Sequence, residues 1–325
     1  ATGNTVGGSV ANSMQLNATG AASQVLGMFT SNAPAVLTSN TVRNLTNNIG
    51  TGTTTTASVI GISITSGTPN STLTQNTISN LTNTNAAAAA VVTGIQFNGA
   101  TANLVARNQI YGISAATTSA AAEINGIRIA GGTTTYRNNM ISIGAGTNNA
   151  IGTGSTTGGV NGIFEAGGTN AILHNSVYIG GAPTAGVGPS YAFASTQTAV
   201  TRSLRDNILF NARSNAGATG KNYVVRVAGT APNPAGLTSN NNLLLANGTG
   251  SVFVANLVDW RGVTGQDLAS FALDPQFVAP AAATPDLHIH PTNPTPAEAN
   301  GFDVGVTDDG DGQTRAGPTP TDIGA

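Results

Sequence analysis

An asparagine followed by alternating apolar residues recurs along most of the chain, and any fold must accommodate that repeat. It reads Asn40-Thr41-Val42-Arg43-Asn44-Leu45, then Asn76-Thr77-Ile78-Ser79-Asn80-Leu81, then Asn108-Gln109-Ile110-Tyr111-Gly112-Ile113. The unit returns as Asn138-Asn139-Met140-Ile141-Ser142-Ile143, Asn175-Ser176-Val177-Tyr178-Ile179, Asp206-Asn207-Ile208-Leu209 and Asn241-Asn242-Leu243. Successive starts lie 30 to 37 residues apart. A second unit keeps pace with it: Gly61-Ile62-Ser63-Ile64, Gly94-Ile95-Gln96-Phe97, Gly126-Ile127-Arg128-Ile129 and Gly162-Ile163-Phe164. Each period therefore holds at least two short β-runs.

The runs are four to six residues long, rich in Ile, Val, Thr and Tyr, with apolar positions two or three apart. That spacing suits strands and not the 3.6-residue face of a helix. Clusters of Gly, Asn, Ser and Thr separate them, as turns require. One such coil cannot bury its apolar face alone, but stacked on its neighbours it makes a continuous thin core. The expected fold is all-β: a right-handed parallel β-helix, or β-solenoid, of roughly seven to nine rungs with an irregular acidic C-terminal capping segment.

The recurrent asparagine has a mechanical role in such a stack. Asn tolerates the left-handed conformation of a tight corner, and in register its amide can bond the amides above and below. Asn40, Asn76, Asn108, Asn138 and Asn175 are the expected column. The variable period is assigned to loops of small residues, 82–90, 115–122, 144–159 and 180–189, since loops change length at little free-energy cost.

Charge marks a boundary. Ten acidic residues lie from Asp259 onward, whereas residues 1–200 hold only Glu123 and Glu165. Pro also becomes dense from Pro275 to Pro320. The division expected is residues 1–251 as parallel β-helix repeats and 252–325 as a C-terminal rung or rungs with an acidic, Pro-rich cap, because an open last rung exposes unpaired edges.

Here the residues carry a resemblance. The asparagine rungs, His174-Asn175-Ser176-Val177-Tyr178-Ile179, Asp274-Pro275-Gln276-Phe277-Val278, Asp286-Leu287-His288-Ile289 and the ending Asp309-Gly310-Asp311-Gly312-Gln313-Thr314-Arg315 resemble the secreted right-handed parallel β-helix repeat proteins of bacteria, a pectin-lyase-like architecture. The likeness covers nearly the whole chain. It implies export, a place in a longer polypeptide or assembly, and an extracellular or cell-surface location, without implying an enzyme.

Composition narrows the chemistry. Charged residues are only 7% of the chain and the net charge is -2, which speaks against a generic nucleic-acid binder. No cysteine is present, so disulfides and thiolate chemistry drop out. The longest apolar run, Ala86 to Val92, is far too short for a membrane helix. The first residues carry neither a basic nor an apolar leader region, as in a mature or excised piece of an exported protein.

A polysaccharide lyase would need clustered carboxylates and a nearby base, and a hydrolase two or three convergent carboxylates. Glu123 and Glu165, 42 residues apart, read as isolated surface charges. Arg202, Arg205, Arg213, Lys221 and Arg226 cluster within 25 residues as a patch for an anionic partner, either a glycan or the acidic segment of the same chain or the next. Arg107 and Arg137 should share a column on neighbouring rungs. Asp308, Asp309 and Asp311 form the one oxygen-rich loop that suggests calcium, though its spacing is incomplete. No other cofactor is indicated, and His288 and His290 read as a structural pair.

The function expected is that of a non-catalytic extracellular structural protein. It would be a rod-like solenoid serving as surface fibre, adhesin stalk or matrix component, joined end to end to copies of itself or to further domains of a parent chain. The alternative is a β-helix that binds or degrades polysaccharide.

Overall fold

A computed structural model describes the chain except residues 18–21, 49–55, 66, 85–88, 117–121, 145–158, 183–187, 215–220, 250–256 and 316–319. Most of the loops assigned above to period variation lie outside the described residues.

The chain opens with β1 (Thr5–Val6) and β2 (Met14–Asn17), then winds its first full coil through β3 (Ala22–Thr30), β4 (Val36–Thr38) and β5 (Thr41–Asn48). Every later coil repeats the last three strands, ending with Asn222–Val227, Leu237–Asn240 and Leu243–Ala246. Corresponding strands pair in parallel, giving a first and a second sheet of seven strands each and a third of nine, in which β1 and β2 both pair with β5. Seven stacked strands span about six turns, fewer than the seven to nine rungs expected. The all-β parallel solenoid itself is what the repeat predicts.

The core is three apolar columns, one from each sheet. Ile78 pairs with Ile110, Ile110 with Ile141 and Ile141 with Val177, all fully buried in the third sheet. Leu73, Val105, Tyr136 and Ile172 line the second sheet, and Ile62, Ile95, Ile127 and Ile163 the first. The Gly-Ile unit has a steric origin. A Cβ on Gly61 would stand 2.6 Å from the Gly94 carbonyl oxygen of the next coil and 2.6 Å from the Ile78 side chain. Only glycine lets the first sheet come that close to the third.

A short helix, α1 (Leu257–Thr264), closes the C-terminal end. Its buried residues Leu257, Trp260 and Thr264 lie on one face, and Leu257 and Trp260 join the main core. Gly265, at φ 64°, ends it in the left-handed conformation usual after a helix. Residues 266–271 then cross the last coil. The Ser239 amide donates to Gln266 Oε1, the Asp267 amide to the Ser239 carbonyl, and Phe271 bridges Leu243.

The acidic segment was expected across the end and instead runs back along the flank. The outward residues of the third sheet explain its path. In the early coils they are Thr77, Ser79 and Gln109; later they become Met140, Tyr178, Ile208, Phe210, Leu243 and Leu245. An apolar outer face needs a cover. Leu287 packs with Tyr178 and Phe210, while Ala297 and Ile323 pack with Ile208 and Leu243. The strands Phe277–Ala279 and Asp286–Ile289 form a small antiparallel pair in this cover. No helix among the described residues is long and apolar enough to cross a membrane.

Candidate functional site

The turn from the second sheet to the third organises the polar chemistry of the molecule. At this corner one residue in each coil is left-handed: Ser39, Gln75, Arg107, Asn138, His174, Asp206 and Asn241 have φ between 51° and 58°. The residue after each points inward and is buried. There Asn40, Asn76, Asn108, Asn139, Asn175, Asn207 and Asn242 form one column. Each Nδ2 donates to the next Oδ1, at 2.8 to 3.1 Å from Asn40 to Asn242. Each backbone amide donates to the same oxygen, and Nδ2 also reaches a second-sheet carbonyl of the preceding coil, as Asn108 does to Leu73 at 3.0 Å. The column starts at Asn4 and ends where Asn242 donates to Asp267 Oδ1 at 2.9 Å.

Two expectations change here. Asn139 holds the fourth rung, and Asn138 is the corner residue before it. The left-handed position is likewise the residue preceding the ladder asparagine, because the chain must turn before the amide can point inward. The sequence signal was present in the doublets Asn138-Asn139 and Asn241-Asn242, where the second member is the one in phase.

The tail seals this corner. Asp308 contacts the Arg137 guanidinium and lies 3.8 Å from that of Arg107. Arg107 pairs in register with Asn138, so Arg107 and Arg137 sit on neighbouring coils but not in one column, and a shared carboxylate bridges them. Arg315 donates to Asn138 Oδ1 at 3.1 Å and to the Gly324 and Asp308 carbonyls at 2.6 and 2.8 Å. Beneath it, His174 and Asp206 are fully buried, 3.9 Å apart. Burial, helped by the Arg315 charge, pushes His174 down to about 3. Burial pushes Asp206 up to about 7 against the hydrogen bond from the Phe302 amide. Between those values both are neutral, and the pair is not a salt bridge there.

Two hollows lie beside the tail, of about 390 and 340 Å³, sharing His288 and Asp311 in their walls. His288 Nδ1 is 2.6 Å from Asp286 Oδ1 and Nε2 is 3.1 Å from Asp311 Oδ2. Burial tends to raise the Asp286 pKa, but the hydrogen bonds and charge of His288 bring it below the usual carboxylate range. The smaller hollow adds Gln75, Thr77, Arg107 and Gln109 to its lining. His290 instead accepts from the Thr292 amide at 3.3 Å, so the two histidines do not act as a pair.

The carboxylates of the suggested calcium loop diverge. Asp308 serves the two arginines, Asp309 accepts from the Gln313 amide at 2.7 Å, and Asp311 faces His288. Among the described residues no three His, Cys, Asp or Glu are placed to hold a metal. The basic cluster is not one patch either. Arg202 and Arg213 are buried, Arg205 lies over the Phe302 ring, and Arg226 lies over Tyr191 on the first sheet, with Lys221 exposed just before the Asn222–Val227 strand. The strands face different ways, so closeness in sequence does not gather these charges.

Glu165 is buried rather than on the surface. It accepts from Ser195 Oγ at 2.6 Å and Asn170 Nδ2 at 2.8 Å, with Arg202 Nε at 3.8 Å. Burial raises its pKa against the pull of those three partners. Sequence reasoning missed this cluster; its one signal was a charge placed two residues after the core Ile163, in the same inward phase of the strand.

Fold and corner together define a class: a parallel β-solenoid with an internal asparagine ladder and a tail folded back on its flank. No protein-family model, curated protein or solved structure matches the chain.

Proposed function

We propose that the chain is a non-catalytic structural module of an extracellular or cell-surface assembly, a stiff spacer rather than an enzyme. Its resemblance to exported bacterial β-helices of pectin-lyase-like architecture supports that location, and right-handed winding follows the strong preference of parallel crossovers. One observation carries the reading: charged residues at the corner and in the interior bind parts of this same chain together. Arg107, Arg137, Arg315 and Asp308 fasten the tail, and Glu165 with Arg202 fastens one corner to the next coil. Six steps of about 4.8 Å give a body roughly 30 Å long, so rods would arise only by joining modules. The test is an assay of neutral glycans and polyuronates for new reducing ends or unsaturated products. None is expected, and turnover that survives purification would overturn the proposal.

A second reading, polysaccharide binding, is favoured by the smaller hollow, whose Gln75 and Thr77 present amide and hydroxyl groups beside Arg107. Retention on a glycan array, lost in Gln75→Ala, would support it.

A further inference from the structure

Among the described residues two arginines are fully buried, and only one of them has a counter-charge. Arg202 has the Glu165 carboxylate 3.8 Å from its Nε. Arg213 is 1% exposed, and its Nε and Nη1 have no hydrogen-bond partner among the described residues. Leu209, Asn211 and Arg213 alternate with Phe210 and Ala212, which pack outward under the tail, so the arginine side chain enters the corner between the third sheet and the first. Its backbone is held there from both sides: the Arg213 amide donates to Asn211 Oδ1 at 3.2 Å, and Asn222 Nδ2 donates to its carbonyl at 2.8 Å.

The surrounding coils supply no opposite charge. From residue 166 to residue 258 the sequence holds one acid, Asp206. That carboxylate stands at the other end of the same strand, where it accepts from the Phe302 amide beneath the tail. Burial alone draws Arg213 down to about 10, with no neighbouring charge opposing it, and the group keeps its proton at neutral pH. A buried cation left in this state is costly, and native folds pair it. Continuing the third-sheet register, Arg213 falls between Gly181 in the coil before and Gly248 in the coil after, so neither adjoining coil adds a side chain at this level.

We infer that Arg213 is the ligand of a small inorganic anion, of the size and single charge of chloride, held in the corner between the third and first sheets. One negative charge balances one guanidinium. Water would complete the hydrogen bonds and leave the charge unbalanced, and full burial suits a monatomic ion better than a larger organic anion. The inference goes beyond the structural reading above and stands or falls without it, because such an ion would be a fixed part of the fold in either a spacer or a glycan binder.

Two measurements on the whole chain test it. Crystals soaked in sodium bromide should show an anomalous peak in contact with the Arg213 guanidinium. Thermal melts in sodium chloride and in sodium gluconate at equal ionic strength screen surface charges alike, while gluconate is too large for a buried site. The gain in Tm from chloride over gluconate should be about 2 °C larger in the parent than in Arg213→Met, which keeps the length of the side chain and removes its charge. Arg226→Met, at an exposed arginine, should behave as the parent does. No bromide at Arg213, bromide at exposed basic side chains alone (an adventitious ion only), or a chloride preference unchanged in Arg213→Met would each overturn the inference. Should Arg213→Met fail to fold, the bromide peak in parent crystals decides the matter by itself.

Discussion

Inside the solenoid each asparagine repeats the contacts of the one before it, while on the flank no two of the tail's polar contacts are alike. Asn76, Asn108 and Asn139 are interchangeable in role, each giving two hydrogens to the next amide oxygen. Arg315, Asp308 and Phe302 each find a different partner at the corner. Repetition makes the first set strong through mutual support. The second depends on one apolar surface being covered, with polar groups arranged to suit.

The largest effect is expected from Asn175→Leu. It removes the acceptor of the Asn139 amide and side chain and the donors to Tyr136 and Asn207, leaving several buried groups unpaired. A loss of about 3–5 kcal/mol, read by urea unfolding, is expected. An equal loss from a tail substitution would erase the distinction drawn here.

Arg315→Ala should cost less, about 1.5–3 kcal/mol, since it removes charge-assisted bonds at one place only. Hydrogen exchange should quicken in 286–289 and 321–325 before it does in the ladder strands. Equal protection of both regions would show that tail and body open as one.

A pH series separates the two buried corner groups. Asp206, normally near 3.8, holds its proton to about 7 when folded, so the unfolded chain binds fewer protons in that window and stability falls as pH rises. His174, normally near 6.5, titrates at about 3 when folded, so the unfolded chain binds more and stability rises with pH. The slopes oppose one another from roughly pH 4 to 6.5. In Asp206→Asn only the rising slope remains, and Tm should climb across that window more steeply than in the parent. A parallel Tm curve would show that the corner opens before the body unfolds.

Smallest of all should be Lys221→Ala. The residue is exposed, and a change within about 0.5 kcal/mol is expected from thermal melts.

The same contrast governs what could be read in advance. The period, the parallel stack and the line through Ile78, Ile110 and Val177 were legible because every coil states them again. A one-residue phase error put Asn138 where Asn139 stands, since either member of the doublet satisfies the pattern. The tail's position was hidden, because the acids of 259–325 suggest a solvated cap while the signal lay elsewhere. Ile208-Leu209-Phe210 and Leu243-Leu244-Leu245 are apolar on both faces, the mark of strands covered on both sides. Glu165 and Arg202 were hidden for another reason: their pairing joins strands 37 residues apart, at a corner that no other coil repeats.

The asparagine column also has a direction. Every asparagine hands its backbone hydrogen and one side-chain hydrogen to the next asparagine toward the C-terminal end, and offers its side-chain oxygen to the coil before, so each storey presents the same socket below and the same plug above. A whole storey removed or inserted between two others, with its own asparagine, would leave no orphaned group in the column. Height is thus a free variable of this architecture, set by how many storeys a gene encodes and not by any single contact.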